Sequence, residues 1–422
     1  MDQLSPKLAT DRAVEAVWRI EAAKLIGGLT KMTRDVGLAE ELAQDALLTA
    51  LRDWPKNGIP ANAGGWLMQT AKRRFIDHFR RSKVLARSLP ELTYEAELRQ
   101  DEAPDYAARL DDDVKDNVLS LIFTACHPVL GPEARSALTL RLVGGLSTAE
   151  IARAYLVPEP TIQQRIVRAK KTLAEAHVPF EVPRGDDRAA RLGSVLEVLY
   201  LIFNEGYSAT SGDDWMRTEL CDEASRVGRI LARLTPDEPE VHGLVALMEI
   251  QASRSAARVK PDGTPILLLE QDRTRWNQIL IRRGLAALAE AERLGGARGS
   301  YALQAAIAAC HARAHKAADT DWVRIAALYD ELAIVMPSPI VELNRAVAHS
   351  MARGPEAGLR LLEPLMQNPA LKSYHLLPSV RGDFLNKLGR FEEARAEFRR
   401  AAEMTGNARE RELLLKRAGG QA

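Results

Sequence analysis

Apolar residues recur at helical spacing along most of the chain. In Leu38-Ala-Glu-Glu-Leu-Ala-Gln-Asp-Ala-Leu-Leu-Thr-Ala-Leu51, the positions Leu38, Leu42, Ala46 and Leu47 fall on one face and predict an amphipathic helix. The run Trp54-Pro55-Lys56-Asn57-Gly58-Ile59-Pro60 is expected to end it, because proline and glycine both break a helix. A second helix is expected after Gly64-Gly65, from Trp66 into Arg81. Between 117 and 176 the helical pattern comes in short pieces, broken at His127-Pro128, Gly144-Gly145 and Val157-Pro158-Glu159-Pro160. Beyond Pro183 helix follows helix, with turns expected at Gly206, Gly212, Pro236, Gly263, Gly295-Gly296, Pro337, Gly354-Pro355, Pro369 and Gly389. No segment alternates as a strand does, so the expected fold class is all-α.

From 84 to 116 the pattern dissolves and acidic residues dominate, ending in Asp111-Asp112-Asp113. The expected organisation is a helical domain at 10–83, an acidic linker at 84–116, a second small helical domain at 117–178 and a helical-repeat domain at 184–422. A charge run of this kind is equally at home as a solvated tether.

Composition narrows the classes. Lys and Arg number 58 against 57 Asp and Glu, a net charge of +1, which excludes a uniformly basic nucleic-acid coat and an acidic solvating chain. The three cysteines lie far apart, with no Cys-x-x-Cys pair, so neither a disulfide framework nor a zinc site is expected. No apolar run reaches the length of a membrane span and the start has no signal-peptide pattern. The expectation is a reduced, cytoplasmic protein with no metal, no cofactor and no membrane partner.

The segment from 137 to 173 carries the most information. Ser147 and Glu150 have the spacing of a capping box, which opens a short helix from Thr148 to Tyr155 with Ile151 and Ala152 inward. After the Val157–Pro160 turn, Thr161 caps or starts a second helix from Ile162 to Ala174, with Ile162, Ile166 and Leu173 on one face. Its other face presents Gln163, Gln164, Arg165, Arg168 and Lys171. This is a helix-turn-helix. Amides and guanidiniums read adenine and guanine edges in the major groove, while Lys170 and Lys171 suit phosphates at the helix end. Gln163 to Lys171 holds four basic residues and no acid, more than a plain surface helix needs, so DNA is the favoured ligand.

A second basic stretch, Lys72 to Lys83, has six basic residues against one acid, with Phe75, His78 and Phe79 interleaved. Such a face suits a groove that tracks a backbone and stacks single-stranded bases. Phe75 and Phe79 also have core spacing, so at least one is expected to be buried. The candidate DNA contacts are Arg73, Arg74, His78, Arg80 and Arg81, together with Thr161 and the exposed face of the second helix.

Two separated DNA-binding signals with an acidic linker between them make the chain resemble a bacterial RNA polymerase sigma factor of the extracytoplasmic-function group. Glu40-Glu41-Leu42-Ala43-Gln44-Asp45-Ala46-Leu47-Leu48 is similar to that family's core-polymerase-binding helix, and the resemblance assigns the clamp contacts to Glu41, Gln44 and Asp45. Gly65 to Arg81 looks like its promoter-melting, −10-reading helix, and Leu146 to Lys170 like its −35-reading helix-turn-helix. Gln163 and Gln164 stand where the family often has Lys and Ser, which bears on the −35 sequence rather than on the role; Trp66 matches a packed apolar position. The resemblance implies core RNA polymerase and promoter DNA as partners and no catalysis of its own. It also places a pocket for a melted base in the loop from about Trp54 to Gly64, and threads the acidic linker through a basic channel of the polymerase.

The remaining chain resembles a tetratricopeptide-like tail. Gly382, Ala394, Phe398 and Ala401 match the small and aromatic positions of a 34-residue helix pair, with weaker echoes at Tyr329, Pro337, Ala357 and Pro369. In the sigma subgroup with such a tail, it is thought to regulate the sigma part. Docking of the tail on the sigma domains, and a protein partner for the repeats, are therefore expected. Asn204, Glu205, Asp272 and Arg273 are candidates for an interdomain or ligand site, or for a buried polar network joining helices. No histidine has an evident Ser or Cys partner, which leaves an enzyme reading unsupported. The competing reading is a DNA-binding regulator that recruits polymerase without replacing sigma.

Overall fold

The computed structural model describes residues 6–81, 106–155, 157–207, 216–260, 265–406 and 408–419, with side chains from 13 to 76 in the first stretch and from 114 in the second. Among the described residues every long element is an α-helix, and β pairing is limited to an isolated bridge between Val259 and Pro265. The chain is all-α, as its periodicity predicts. It divides into two compact units, 1–198 and 199–422.

The first unit contains α1 (Pro6–Thr33), α2 (Val36–Asn57), α3 (Ala63–Arg81), α4 (Tyr106–Ala125), α5 (Pro132–Leu142), α6 (Thr148–Tyr155) and α7 (Glu159–Glu175). It also takes α8 (Gly185–Tyr207) as far as Val198. Helix α1 is its common wall, touching α2, α3, α4 and α5. Trp18, Ala22, Ile26 and Leu29 are buried on it, as are Leu42, Ala46 and Trp54 on α2, Leu67 and Phe75 on α3, and Leu121 and Ile122 on α4. Burying each large apolar side chain contributes roughly 1.5–3 kcal/mol, which fixes the register of these helices.

Four helix boundaries differ from the sequence expectation. Helix α2 runs through Pro55 to Asn57. A proline there removes one N–H from the last turn, and Gly58, at φ 80°, still donates its N–H to the Trp54 carbonyl. Helix α3 starts at Ala63 rather than Trp66, because the Asn62 side chain accepts the Gly65 N–H at 2.8 Å. Helix α7 starts at Glu159, ahead of Thr161, since a proline in the first turn gives up only an N–H that has no helical partner. Helix α4 begins at Tyr106, inside the acid-rich stretch. Phe75 is buried, as a core residue is; Phe79 lies outside the described side chains. Trp66 is half-buried and sets its ring edge-on to Trp54 at 5.4 Å.

The second unit continues with α9 (Thr218–Leu234), α10 (Pro239–Ala252), α11 (Gln278–Arg293), α12 (Ser300–Arg313), α13 (Trp322–Val335), α14 (Pro339–Arg353), α15 (Pro355–Leu362), α16 (Leu376–Lys387), α17 (Phe391–Met404) and α18 (Ala408–Ala418). Each helix packs on the next in chain order. Its core is a series of small clusters, such as Ile325, Leu328 and Leu332, then Leu343, Leu362 and Phe384, then Ala394, Phe398 and Leu414. Stacked units that bury apolar surface only against neighbours are the organisation of helical repeats. A Cβ on Gly382 would come within 2.9 Å of the Phe398 ring, so glycine lets α16 and α17 approach. Gly206 lies inside α8 rather than in a turn, with the backbone N of Cys221 2.7 Å from where its Cβ would be.

Candidate polymerase and DNA interface

The helix-turn-helix forms from local chemistry. The Glu150 carboxylate accepts the Ser147 N–H at 2.7 Å, and the Ser147 hydroxyl accepts the Glu150 N–H at 3.1 Å. These reciprocal bonds are a capping box and start α6. Burial works against the Glu150 carboxylate, but bonds from Ser147 and the Arg19 guanidinium outweigh it and hold the carboxyl below its ordinary range. On α7, Ile162, Ile166, Ala169 and Leu173 are buried toward α5 and α6. The opposite face exposes Gln163, Gln164, Arg168 and Lys171, with Arg165 and Thr161 half-buried. The amides and the Arg168 guanidinium therefore project into solvent.

On α2, Glu41 is exposed, and Gln44 and Asp45 are half-buried. Arg74 of α3 reaches across to Asp45 at 3.3 Å and to the Thr49 hydroxyl at 3.1 Å. Both charges are more than two-fifths exposed, so the pair is worth about 0.2–1 kcal/mol and yields readily to a stronger partner. Arg73 is exposed beside it. His78, Arg80 and Arg81 have side chains outside the described residues.

The structure adds residues that sequence reasoning missed. Glu40 is 3% exposed, and one carboxylate oxygen accepts Nε of Arg141 on α5 at 2.6 Å. Gln44, one turn on, donates to that same oxygen, and the other oxygen is ion-paired with Lys170 on α7. Lys170, expected on phosphate, is thus turned toward α2. Arg141 also donates to the Leu146 carbonyl at 3.0 Å. Trp18 Nε1 donates to the Gly145 carbonyl at 3.1 Å, and Arg19 bridges Glu15 and Glu150, each at 3.0 Å. Helices α1 and α2 are consequently packed on the helix-turn-helix and the helix before it. Glu40 is legible in sequence only as an acid beside Ala39 at the edge of an apolar stripe.

In the second unit the four candidate residues do not form one constellation. Glu205 is ion-paired with Arg217, and Asn204 hydrogen-bonds Tyr200. Asp272 is exposed and accepts the Thr274 N–H and hydroxyl, at 3.0 and 2.6 Å. Arg273 is buried and donates to the carbonyls of His311 and Ala314, each at 2.8 Å, and to the Thr320 hydroxyl at 2.9 Å.

Comparison with known families follows the same division. Residues 20–84 match sigma-70 region 2, and residues 120–173 match sigma-70 region 4. The ECF RNA polymerase sigma factor SigC of Mycobacterium tuberculosis is 30% identical over 178 residues, which is 40% of this chain and 86% of SigC. The chain belongs to the sigma-70 family, in its extracytoplasmic-function group. The RNA polymerase sigma-H factor of Pseudomonas aeruginosa is 29% identical over 164 residues, 37% of this chain and 82% of that protein. An uncharacterized protein of Rhizobium meliloti is 44% identical over 387 residues, 91% of this chain and 90% of the relative, and so extends through the second unit. Residues 191–292 match a family of unknown function (DUF6596). The sigma factor directs transcription initiation with region 2 built from α1 to α3 and region 4 from the later helices of the first unit. Among the described residues no helix is long and apolar enough to cross a membrane, and no group of three or more His, Cys, Asp or Glu could hold a metal ion.

Proposed function

We propose that this sigma factor rests in a closed form, and that engaging polymerase and promoter pulls region 4 off region 2. In the open form Glu41, Gln44 and Asp45 meet core RNA polymerase. Gln163, Gln164, Arg165 and Arg168 read the −35 element, with Thr161 and Lys171 on its phosphates. Arg73, Arg74, His78, Arg80 and Arg81 serve the −10 region.

The buried Glu40, held by Arg141 and Lys170, carries this reading. Elements at −10 and −35 lie roughly 25 base pairs apart, about 85 Å at about 3.4 Å per base pair. In the closed form the two regions share a hydrogen bond of 3.1 Å between Trp18 and Gly145. One arrangement excludes the other. Opening releases Lys170 for phosphate and uncovers the side of α2 next to Glu41. Removing a charge from a buried pair leaves its partners uncompensated, so the Glu40 cluster is a switch with a real energetic threshold.

The protein acts in the cytoplasm and performs no catalysis of its own. The tetratricopeptide-like stack of 199–422 controls the sigma regions by intramolecular contact and offers a surface to a protein partner. A covalent tether gives such contact an effective concentration of about the millimolar range, so a weak one is occupied. Run-off transcription with purified core polymerase tests the reading. The wild type is expected to start at a defined promoter, while Asp45→Arg loses core binding with its helicity unchanged. Co-purification of Asp45→Arg with core at the wild-type level would show that α2 has been given the wrong role.

A further inference from the structure

The second unit holds a concentration of guanidinium groups that promoter recognition does not use. Arg254 stands 5.6 Å from the Tyr207 ring and 5.8 Å from the Trp276 ring. Arg258 lies 3.5 Å over Tyr207, and Arg273 lies 5.0 Å from Trp276. Three positive groups thus share two aromatic faces, drawn from the end of α8, the segment after α10 and the segment before α11. Burial and the neighbouring Arg254 together push the Arg258 and Arg273 guanidiniums down from their ordinary value. Burial, then Arg254 and Arg273, push His311 at the end of α12 down to about 3, so its imidazole is neutral.

The hydrogen bonds of two of these groups go to neutral acceptors. Arg254 donates to the Gln251 amide oxygen, and Arg273 to two carbonyls and a hydroxyl. Arg254 Nε, Arg273 Nε, Trp276 Nε1 and His311 Nδ1 are all buried without a hydrogen-bond partner. A buried donor left without its hydrogen bond destabilises the fold, and grouped like charges add to that. Surplus donors and surplus positive charge at one place match a compact, multiply charged acceptor. A guanidinium fork fits a phosphate in bidentate fashion, which neither a lone lysine nor a neutral pocket does.

We propose that Arg254, Arg273, Trp276 and His311 form a phosphate-binding site, with Arg254 as its anchor. Tyr207 and Trp276 hold the guanidiniums by their ring faces until the anion arrives. Arg273 keeps its bonds to the end of α12 and turns only its Nε to the ligand. Bound phosphate would tie the ends of α8 and α10, within the region matched by the family of unknown function, to the end of α12 beyond it.

The test uses the full chain in phosphate-free buffer, titrated by calorimetry with inorganic phosphate and separately with AMP. Saturable binding that raises the melting temperature is expected. Arg254→Gln is expected to weaken it roughly tenfold or more, and the exposed Arg283→Gln to leave it unchanged. Binding of both probes assigns the site to the phosphate group itself; binding of AMP alone assigns it to a phosphate ester; either supports the proposal. If Arg254→Gln loses helicity, Arg254→Lys decides, with weaker but saturable binding expected and unchanged affinity counting against the site. No saturable response to either probe, or an equal response in a folded Arg254→Gln, overturns the proposal.

Discussion

Glu40 and Arg141 lie 101 residues apart in the chain and meet at 2.6 Å, joining α2 of region 2 to region 4. Glu40→Gln keeps the size of the side chain and removes the charge that Arg141 and Lys170 face. The closed form should weaken while each region stays folded. Apparent affinity for core polymerase scales with the fraction of competent molecules, so a gain of up to about tenfold is expected. Fluorescence anisotropy with labelled core measures it, and an unchanged affinity with unchanged helicity would count against the switch.

Promoter reading separates by residue. Arg165→Ala should cost about 1–3 kcal/mol and relax specificity at one position of the −35 element. Lys171→Ala should weaken all sequences alike and reduce the salt slope by about one. Footprinting and salt titration distinguish the two; full −35 protection by Arg165→Ala at wild-type affinity would contradict the docking of α7.

The helix-turn-helix was readable because its determinants are local: a capping box, a short turn and an apolar stripe at Ile162, Ile166 and Leu173. Helices α3 and α7 start earlier than the sequence pattern predicts, because a capping asparagine and a first-turn proline outweigh the glycines and the threonine that mark the expected starts. Glu40 could not be assigned, since an acid in an apolar stripe says that a partner exists but not that it is Arg141. The Arg254 cluster was equally hidden. Only Arg273 stood out in sequence, because the others come together from separate helix ends.

The boundary after the sigma regions can be tested by truncation. Arg191 donates to the Phe123 carbonyl at 3.1 Å, and Ser194 donates to the Cys126 carbonyl at 2.6 Å while accepting from Arg135. A fragment ending at Pro183 loses these bonds; one ending at Val198 keeps them. The longer fragment should melt at the higher temperature by differential scanning calorimetry. Equal melting would mean that the first turns of α8 add nothing to the first unit. Mixing the longer fragment with 199–422 then tests control by the tail, which predicts that the halves bind and that transcription changes.

His311 gives the second unit a pH dependence of known sign. Its folded value of about 3 lies below its ordinary 6.5, so the unfolded chain binds the extra proton. Stability from this group is complete above pH 6.5 and declines as pH falls from there toward about 3. Denaturant titrations in phosphate-free buffer should show that decline, and His311→Gln should flatten it. A variant with the same slope as the wild type would assign the dependence to other groups.

In the proposed cycle, regions 2 and 4 rest together and separate on polymerase. Cys126, Cys221 and Cys310 are buried, so dyes can be placed selectively at Asp53→Cys on α2 and the exposed Glu175→Cys on α7. Single-molecule energy transfer between them should be high in the free protein. It should fall to a separation of tens of ångströms, set by the roughly 25-base-pair spacing of the elements, when core polymerase and promoter are added. High transfer that persists in the transcribing complex, or low transfer in the free protein, would contradict the closed resting form.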